Sequence, residues 1–152
     1  MLRDEPAGDT IVVIRATPLN VDATIDDIAE AATESAEAYE VTAGDRREVL
    51  YGVSVFSAQD DNETLAILER FDAAESYLMA RVDSLRQAGF AVFATGARAD
   101  HFDVQLLGGR TDRDQAASSE EISDAARRLV EIAGPLRPNP FYAGEQGGPE
   151  QR

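Results

Sequence analysis

Val49-Leu50-Tyr51-Gly52-Val53-Ser54-Val55-Phe56 decides the fold of this chain. From Leu50 the run alternates loosely, with Val53 and Val55 to one side and Ser54 and Phe56 to the other. A period of two suits a strand whose faces meet different surroundings. Gly52 offers a sheet no side chain, so its place in the run predicts a bulge or a close approach to the backbone. Upstream, Ile11-Val12-Val13-Ile14 is apolar throughout and mostly β-branched. It reads as a buried central strand with Arg15 at its end and Pro18 as its stop.

Helices are expected between these strands and after them. Asp22 or Thr24 caps a helix over 24–38, whose apolar stripe is Ile25, Ile28, Ala29, Ala32, Ala36 and Tyr39. Ala43-Gly44-Asp45 marks a turn. Asp61 or Asn62 caps a second helix reaching Phe71, with Leu65, Ile67 and Leu68 available for packing. Tyr77 to Val82 reads as a strand, and Asp83 caps a short helix over 84–88 with Gly89 just past its end. Phe90 to Ala94 is a strand closed by Thr95-Gly96. His101 to Leu107 is another, with Phe102, Val104 and Leu106 facing one way and His101, Asp103 and Gln105 the other. After a charged linker over 110–117, Ser118 and Glu121 form a capping box for a helix ending near Ala133, ahead of Gly134-Pro135. Interleaved strands and helices without a Gly-rich phosphate loop predict an α+β fold: one compact domain with a mixed, mostly antiparallel sheet packed by three to four helices. The expected boundaries are a loose N-terminus over 1–9, the domain over 10–138 and a disordered Gly-, Gln- and Pro-rich tail over 139–152.

Charge narrows the partners. The 152 residues carry a net charge of −15, and residues 1–76 hold 18 acids against 5 arginines while residues 77–152 hold 11 against 9. No basic residue lies between Arg15 and Arg46, where Asp22, Asp26, Asp27, Glu30, Glu34, Glu37 and Glu40 all fall. Such a field repels nucleic-acid phosphates and anionic lipid and attracts basic protein surface. The two basic pairs, Arg46-Arg47 and Arg127-Arg128, have no interleaved aromatics, so neither nucleic acid nor membrane is an expected partner. The chain has no cysteine, no lysine and one histidine. Disulfides, thiolate ligands, lysine Schiff bases and paired imidazole ligands are thereby excluded, and no metal site is expected. Nothing approaches the length of a membrane span and the N-terminus lacks a secretory pattern, so the expected location is cytoplasmic.

Several residues could carry chemistry. His101 and Asp103 share a strand face in an i,i+2 relation, with Thr95 and Arg98 just upstream. A histidine base oriented by a carboxylate is a known catalytic arrangement, but a hydrogen-bonded structural histidine is the favoured reading. Ser54 and Ser57 flank Val55-Phe56, yet no G-x-S-x-G elbow surrounds either one. Arg15 places a guanidinium beside the core, where it must hold a carboxylate or await an anionic ligand; a structural pair is favoured for it and for Arg81. On the first helix Asp27, Glu30, Glu34 and Glu37 crowd one side at spacings where like charges repel, which is what raises a basic partner as a possibility.

Two resemblances accompany these readings. Val12-Val13-Ile14-Arg15, Tyr51-Gly52-Val53-Ser54-Val55-Phe56, Leu85 with Ala88-Gly89-Phe90 and Thr95, His101-Phe102 with Val104 and Leu106, and Asn139-Pro140-Phe141 resemble, in that order, a family of small α+β proteins from high-G+C bacteria. That family carries no assigned activity, so the resemblance implies no mechanism. In order along the chain, Arg15, Ser54 or Ser57, and Asp103 are also weakly similar to the ADP-ribosyltransferase fold. This second resemblance implies NAD as ligand, although no Ser-Thr-Ser is present and an aspartate stands in place of the glutamate.

The leading expectation is therefore a non-enzymatic, acidic protein-binding module of the antitoxin or immunity kind. It would dock on a basic partner, such as the product of a neighbouring gene, through Asp26, Asp27, Glu30, Glu34 and Glu37, and would need no cofactor. The rival is an enzyme using Arg15, Ser54, His101 and Asp103, with NAD its cofactor in the ADP-ribosyltransferase-like form. A homo-oligomer burying a strand edge is a third expectation.

Overall fold

The apolar runs become sheet, and the sheet sorts the remaining chain into layers. The computed structural model describes residues 7–16, 19–95, 98–112 and 116–142. In chain order these form β1 (Ile11–Ala16), α1 (Val21–Ala38), β2 (Glu40–Ala43), β3 (Arg46–Val49), β4 (Gly52–Ala58), α2 (Asp61–Arg70), β5 (Ser76–Arg81), α3 (Val82–Gln87), β6 (Ala91–Ala94), β7 (His101–Gln105), α4 (Ser119–Ala133) and β8 (Arg137–Pro138). Among the described residues one sheet has the order β6-β7-β4-β1-β5-β8, while β2 and β3 pair only with each other. Every ladder is antiparallel. The α+β expectation holds, and β1 is interior as its unbroken apolar run requires.

Strand alternation gives each sheet face its own packing. Val12, Ile14, Val53, Val55, Leu78 and Val104 meet Ile25, Ile28 and Ala32 of α1 and Ile122, Leu129 and Val130 of α4 in the main core. On the opposite face Val13, Phe56 and Ala58 pack against Ile67 and Leu68 of α2, with Phe71, Tyr77, Met79 and Phe141 around them. That smaller cluster leaves the polar positions of β4 and β7 beside it uncovered. The gap is where the candidate site lies.

Local expectations are met or displaced for identifiable reasons. The capping box opens α4 as expected, with Ser118 Oγ accepting from Glu121 N at 3.1 Å and Glu121 Oε1 accepting from Ser118 N at 3.0 Å. The first cap is Asn20, not Asp22 or Thr24: its side chain accepts from Ala23 N at 2.8 Å, so the helix starts earlier. Likewise Asp60, one residue ahead of the expected Asp61 or Asn62, caps α2 by accepting from Glu63 N at 2.9 Å. Asp83 lies inside the first turn of α3, because that helix follows β5 without a break and Arg81 holds the cap position with no side-chain bond. Tyr39 and Leu65, expected to pack, are exposed.

The strand expected over 49–56 is divided. Val49 ends β3, β4 begins at Gly52, and between them the Gln105 side chain replaces a ladder, accepting from Tyr51 N at 2.6 Å and donating to Val49 O at 3.0 Å. The expected domain edges move outward. Gly8 O accepts from Asp83 N at 2.9 Å, and Asn139 is buried, with Phe141 on the smaller core. Residues 1–6 and 143–152 of the expected loose ends, Pro18, Gly96 and the middle of the charged linker lie outside the described residues. Among the described residues no helix is long and apolar enough to cross a membrane.

Candidate active site

Antiparallel register brings the polar side chains of β4 and β7 together. Ser54 stands opposite Asp103 and Phe56 opposite His101 on the face that α2 only partly covers. Ser54 Oγ lies 2.6 Å from Nε2 of His101. On the other side of the ring, Nδ1 lies 3.1 Å from the carbonyl oxygen of Thr95 and 3.0 Å from its Oγ1. A carbonyl oxygen can only accept, so Nδ1 carries a proton; in the tautomer protonated there alone, the Nε2 lone pair faces Ser54. In that tautomer the Ser54 hydroxyl donates to His101. Thr95 Oγ1 donates to Asp103 Oδ2 at 2.6 Å, leaving its lone pairs for the Nδ1 proton.

Thus the carboxylate expected to orient His101 does so through Thr95. Phe56 meets the imidazole edge to face, with ring centroids 5.2 Å apart, and fixes its tilt from another side. Ser57, the other serine considered, falls on the opposite face by alternation and lines neither pocket described below.

Above this network is a cleft of about 1140 Å³. Gly52, Ser54, His101 and Asp103 line it together with Phe93 to Thr95, the β2 strand and Ala31, Glu34, Ser35 and Ala38 of α1. Gly52 is where the backbone must be bare. A Cβ there would stand 2.9 Å from Asp103 Oδ1, 2.9 Å from Leu50 Cγ and 3.1 Å from Ser35 Oγ. Its N–H donates to Ser35 Oγ at 3.2 Å, and that hydroxyl donates to Leu50 O at 2.6 Å. The close approach read from sequence is thus the observed role. Gly52→Ala is expected to cost about 1–2 kcal/mol as these groups are pushed apart. Urea denaturation checks it, and an unchanged midpoint would contradict the packing.

Burial pushes the Asp103 carboxyl above the usual aspartate range, against the Thr95 hydrogen bond and the charge of His101, which pull it down. A folded-state value above the unfolded one means that the native protein holds this proton longer. Its stabilising contribution is complete in acid and is lost as pH rises through the folded value. Asp103→Asn keeps an acceptor for Thr95 and removes the titration. Relative to the parent, the variant should gain stability as pH rises from the ordinary aspartate range upward. Thermal melts across that range test the sign, and a relative loss would oppose it.

A second groove, of about 420 Å³, opens where β1 and β4 part. Their ladder joins only Ile11–Val13 to Phe56–Ala58, whereas β1 stays paired with β5 as far as Ala16. Arg15, Arg70, Asp27, Asp72 and Ser54 line this groove, so Ser54 faces both spaces. The structural ion pair expected for Arg15 is absent among the described residues. Its guanidinium lies over Phe71 instead, 4.3 Å from the ring centroid. Arg81 does pair, with Asp83 at 3.6 Å. Of the residues singled out in the sequence, Ser54, His101 and Asp103 converge in one cleft and Arg15 reaches it only through the neighbouring groove.

The acidic residues of α1 take another part of the surface. Asp26, Asp27, Glu30, Glu34 and Glu37 are all exposed or half-buried, and no ion pair among the described residues reaches them. Glu34 stands on the cleft wall. Arg70 and Ser35 carry no signal in the sequence that would mark them for the site. Their partners lie on elements far away in the chain, where no local pattern points.

Comparison with protein-family models, with curated proteins and with solved structures finds no match to this chain. Function must therefore be read from the site.

Proposed function

We propose that this protein is an acyl-transfer enzyme in which Ser54 is the nucleophile and His101 its base. The observation carrying this reading is the 2.6 Å contact between Ser54 Oγ and a His101 Nε2 whose lone pair is directed to it by the Nδ1 contacts with Thr95. In the proposed reaction Ser54 Oγ attacks the acyl carbon as its proton passes to Nε2. The leaving group then departs with that proton, and water or a second acceptor releases the acyl group by the reverse transfer. The cleft above Ser54 has room for a small-molecule substrate, and Phe56 and Thr95 keep the imidazole from turning away.

The test uses p-nitrophenyl acetate and intact-mass analysis. An acetyl adduct on Ser54, absent in Ser54→Ala, is the expected result; acetylation at unrelated sites only, or none, would end this reading. NAD, the ligand of an ADP-ribosyltransferase-like enzyme, would have to engage Arg15, Ser54 and Asp103, which are divided between two pockets sharing Ser54.

A second reading rests on a separate observation, the five carboxylates on the surface of α1 without ion pairs among the described residues. In it the helix docks on a basic protein partner of the antitoxin or immunity kind, with a fast, salt-sensitive encounter. A pull-down in which neutralising Asp27, Glu30, Glu34 and Glu37 releases a captured partner supports it. Retention of every partner by the neutral variant counts against it.

A further inference from the structure

We propose that Arg15 and Arg70 form an anion-binding half-site beside Ser54, which takes a single phosphate or carboxylate group of the ligand. This deepens the acyl-transfer reading and rests on it for the identity of the reacting end. The groove between β1 and β4 brings two guanidinium groups onto the same pair of rings. Arg15 lies 4.3 Å from the Phe71 centroid and 5.7 Å from that of Phe56, and Arg70 lies 4.9 Å and 5.2 Å from them.

Two like charges gathered at the same pair of rings normally share a counter-charge. Arg70 has one in Asp100, at 3.3 Å, but Asp100 is also held by Arg98 at 3.0 Å. Among the described residues no carboxylate forms an ion pair with Arg15. Burial, and next the charge of Arg70, hold the Arg15 guanidinium below the ordinary arginine range, as expected of a cation lacking its anion.

The surroundings define the size and charge of the guest. Asp27 and Asp72 also line the groove, which sets it against an extended polyanion and leaves room for one compact anionic group in about 420 Å³. A planar guanidinium backed by an aromatic ring presents its N–H edge to such a group, and a pair of them can grip its oxygens from two sides. Ser54 lines both this groove and the cleft. A ligand anchored at Arg15 would therefore carry its reacting centre one short span away, over the Ser54 hydroxyl.

NMR titration of the full chain with inorganic phosphate, and separately with acetate, tests the half-site, with chloride at equal ionic strength as the control. The expected result is a saturable shift of the Arg15 and Arg70 Nε–H resonances with one or both anions and none with chloride. Affinity should fall at least tenfold in Arg15→Gln and stay unchanged in Glu131→Gln, a change on α4 outside both pockets. No saturable shift with either anion, a shift that chloride reproduces, or equal affinity in Arg15→Gln would overturn the half-site. Arg70→Gln provides a second variant if Arg15→Gln does not fold. Anion binding is read from the arginine resonances without any acetylation step, so loss of the acyl-transfer reading and loss of this one give different results.

Discussion

Replacement of His101 by glutamine is expected to slow acetylation of Ser54 by about two to four orders of magnitude, the usual worth of a positioned base. The glutamine amide can still reach Ser54 but cannot take its proton. The loss should therefore appear in the rate of adduct formation, with the fold retained. Such a factor corresponds to about 3–5 kcal/mol of barrier, more than an altered packing contact alone accounts for. Thr95→Val provides a graded comparison: it removes the hydroxyl between Nδ1 and Asp103 but keeps the Thr95 carbonyl contact at 3.1 Å. Its loss should be smaller than that of His101→Gln. Equal labelling rates in the parent and in His101→Gln would mean that Ser54 reacts unaided.

Asn139→Leu is expected to destabilise the fold by about 3 kcal/mol. The side-chain amide nitrogen shares its two hydrogens among the carbonyls of Leu68 at 3.2 Å, Phe71 at 3.2 Å and Ala74 at 3.0 Å, and its Oδ1 accepts from Phe141 N at 3.0 Å. One residue thus satisfies the end of α2 and the turn after it and pins the C-terminal segment across them. Asn139 is 5% exposed, so water cannot readily replace these bonds. Leucine is close in size and removes every one of them, while the Phe71 carbonyl keeps its bond from Ala74 N. For a chain of this length the change corresponds to a fall of about 6–12 °C in Tm. Calorimetry measures it, and a fall of under about 2 °C would mean that the segment is not held through Asn139.

Patterns that repeat locally are legible in the amino-acid sequence alone. The apolar run of β1, the two-faced alternation of β4 and β7, and the Ser118–Glu121 box each declare themselves within a few residues. The β2–β3 hairpin does not. Its strands are short and charged, and they are held by contacts such as Arg47 to Glu40 at 3.0 Å, which no hydrophobic period announces. Only its turn, where Gly44 has φ 66°, can be read. Asn139 reads as part of a tail because the sequence just beyond it is rich in Gly, Gln and Pro; the carbonyls it bonds belong to residues far upstream. Arg15 reads as the holder of a carboxylate because burial of a cation demands compensation. Aromatic faces supply part of that compensation, and sequence spacing gives no sign of them.

The site is legible in its parts. Ser54, His101 and Asp103 each fall on the polar face of a strand, which alternation reveals. Their convergence depends on the register of β4 against β7, and a slip of one residue would turn Ser54 to the other face. The role of Thr95 depends in turn on β6 lying beside β7, so that the residue just past the end of β6 meets the imidazole.

His101 is the chain's single histidine, so imidazole ¹⁵N spectroscopy reports on it without ambiguity. That spectrum, taken where the ring is neutral, is the most direct measurement of whether Ser54 faces a proton acceptor. The arrangement around Thr95 predicts one tautomer, with the proton on Nδ1 and Nε2 showing the shift of a hydrogen-bond acceptor that changes in Ser54→Ala. A proton found on Nε2, or rapid averaging between the two nitrogens, would contradict the proposed base and with it the proposed nucleophile.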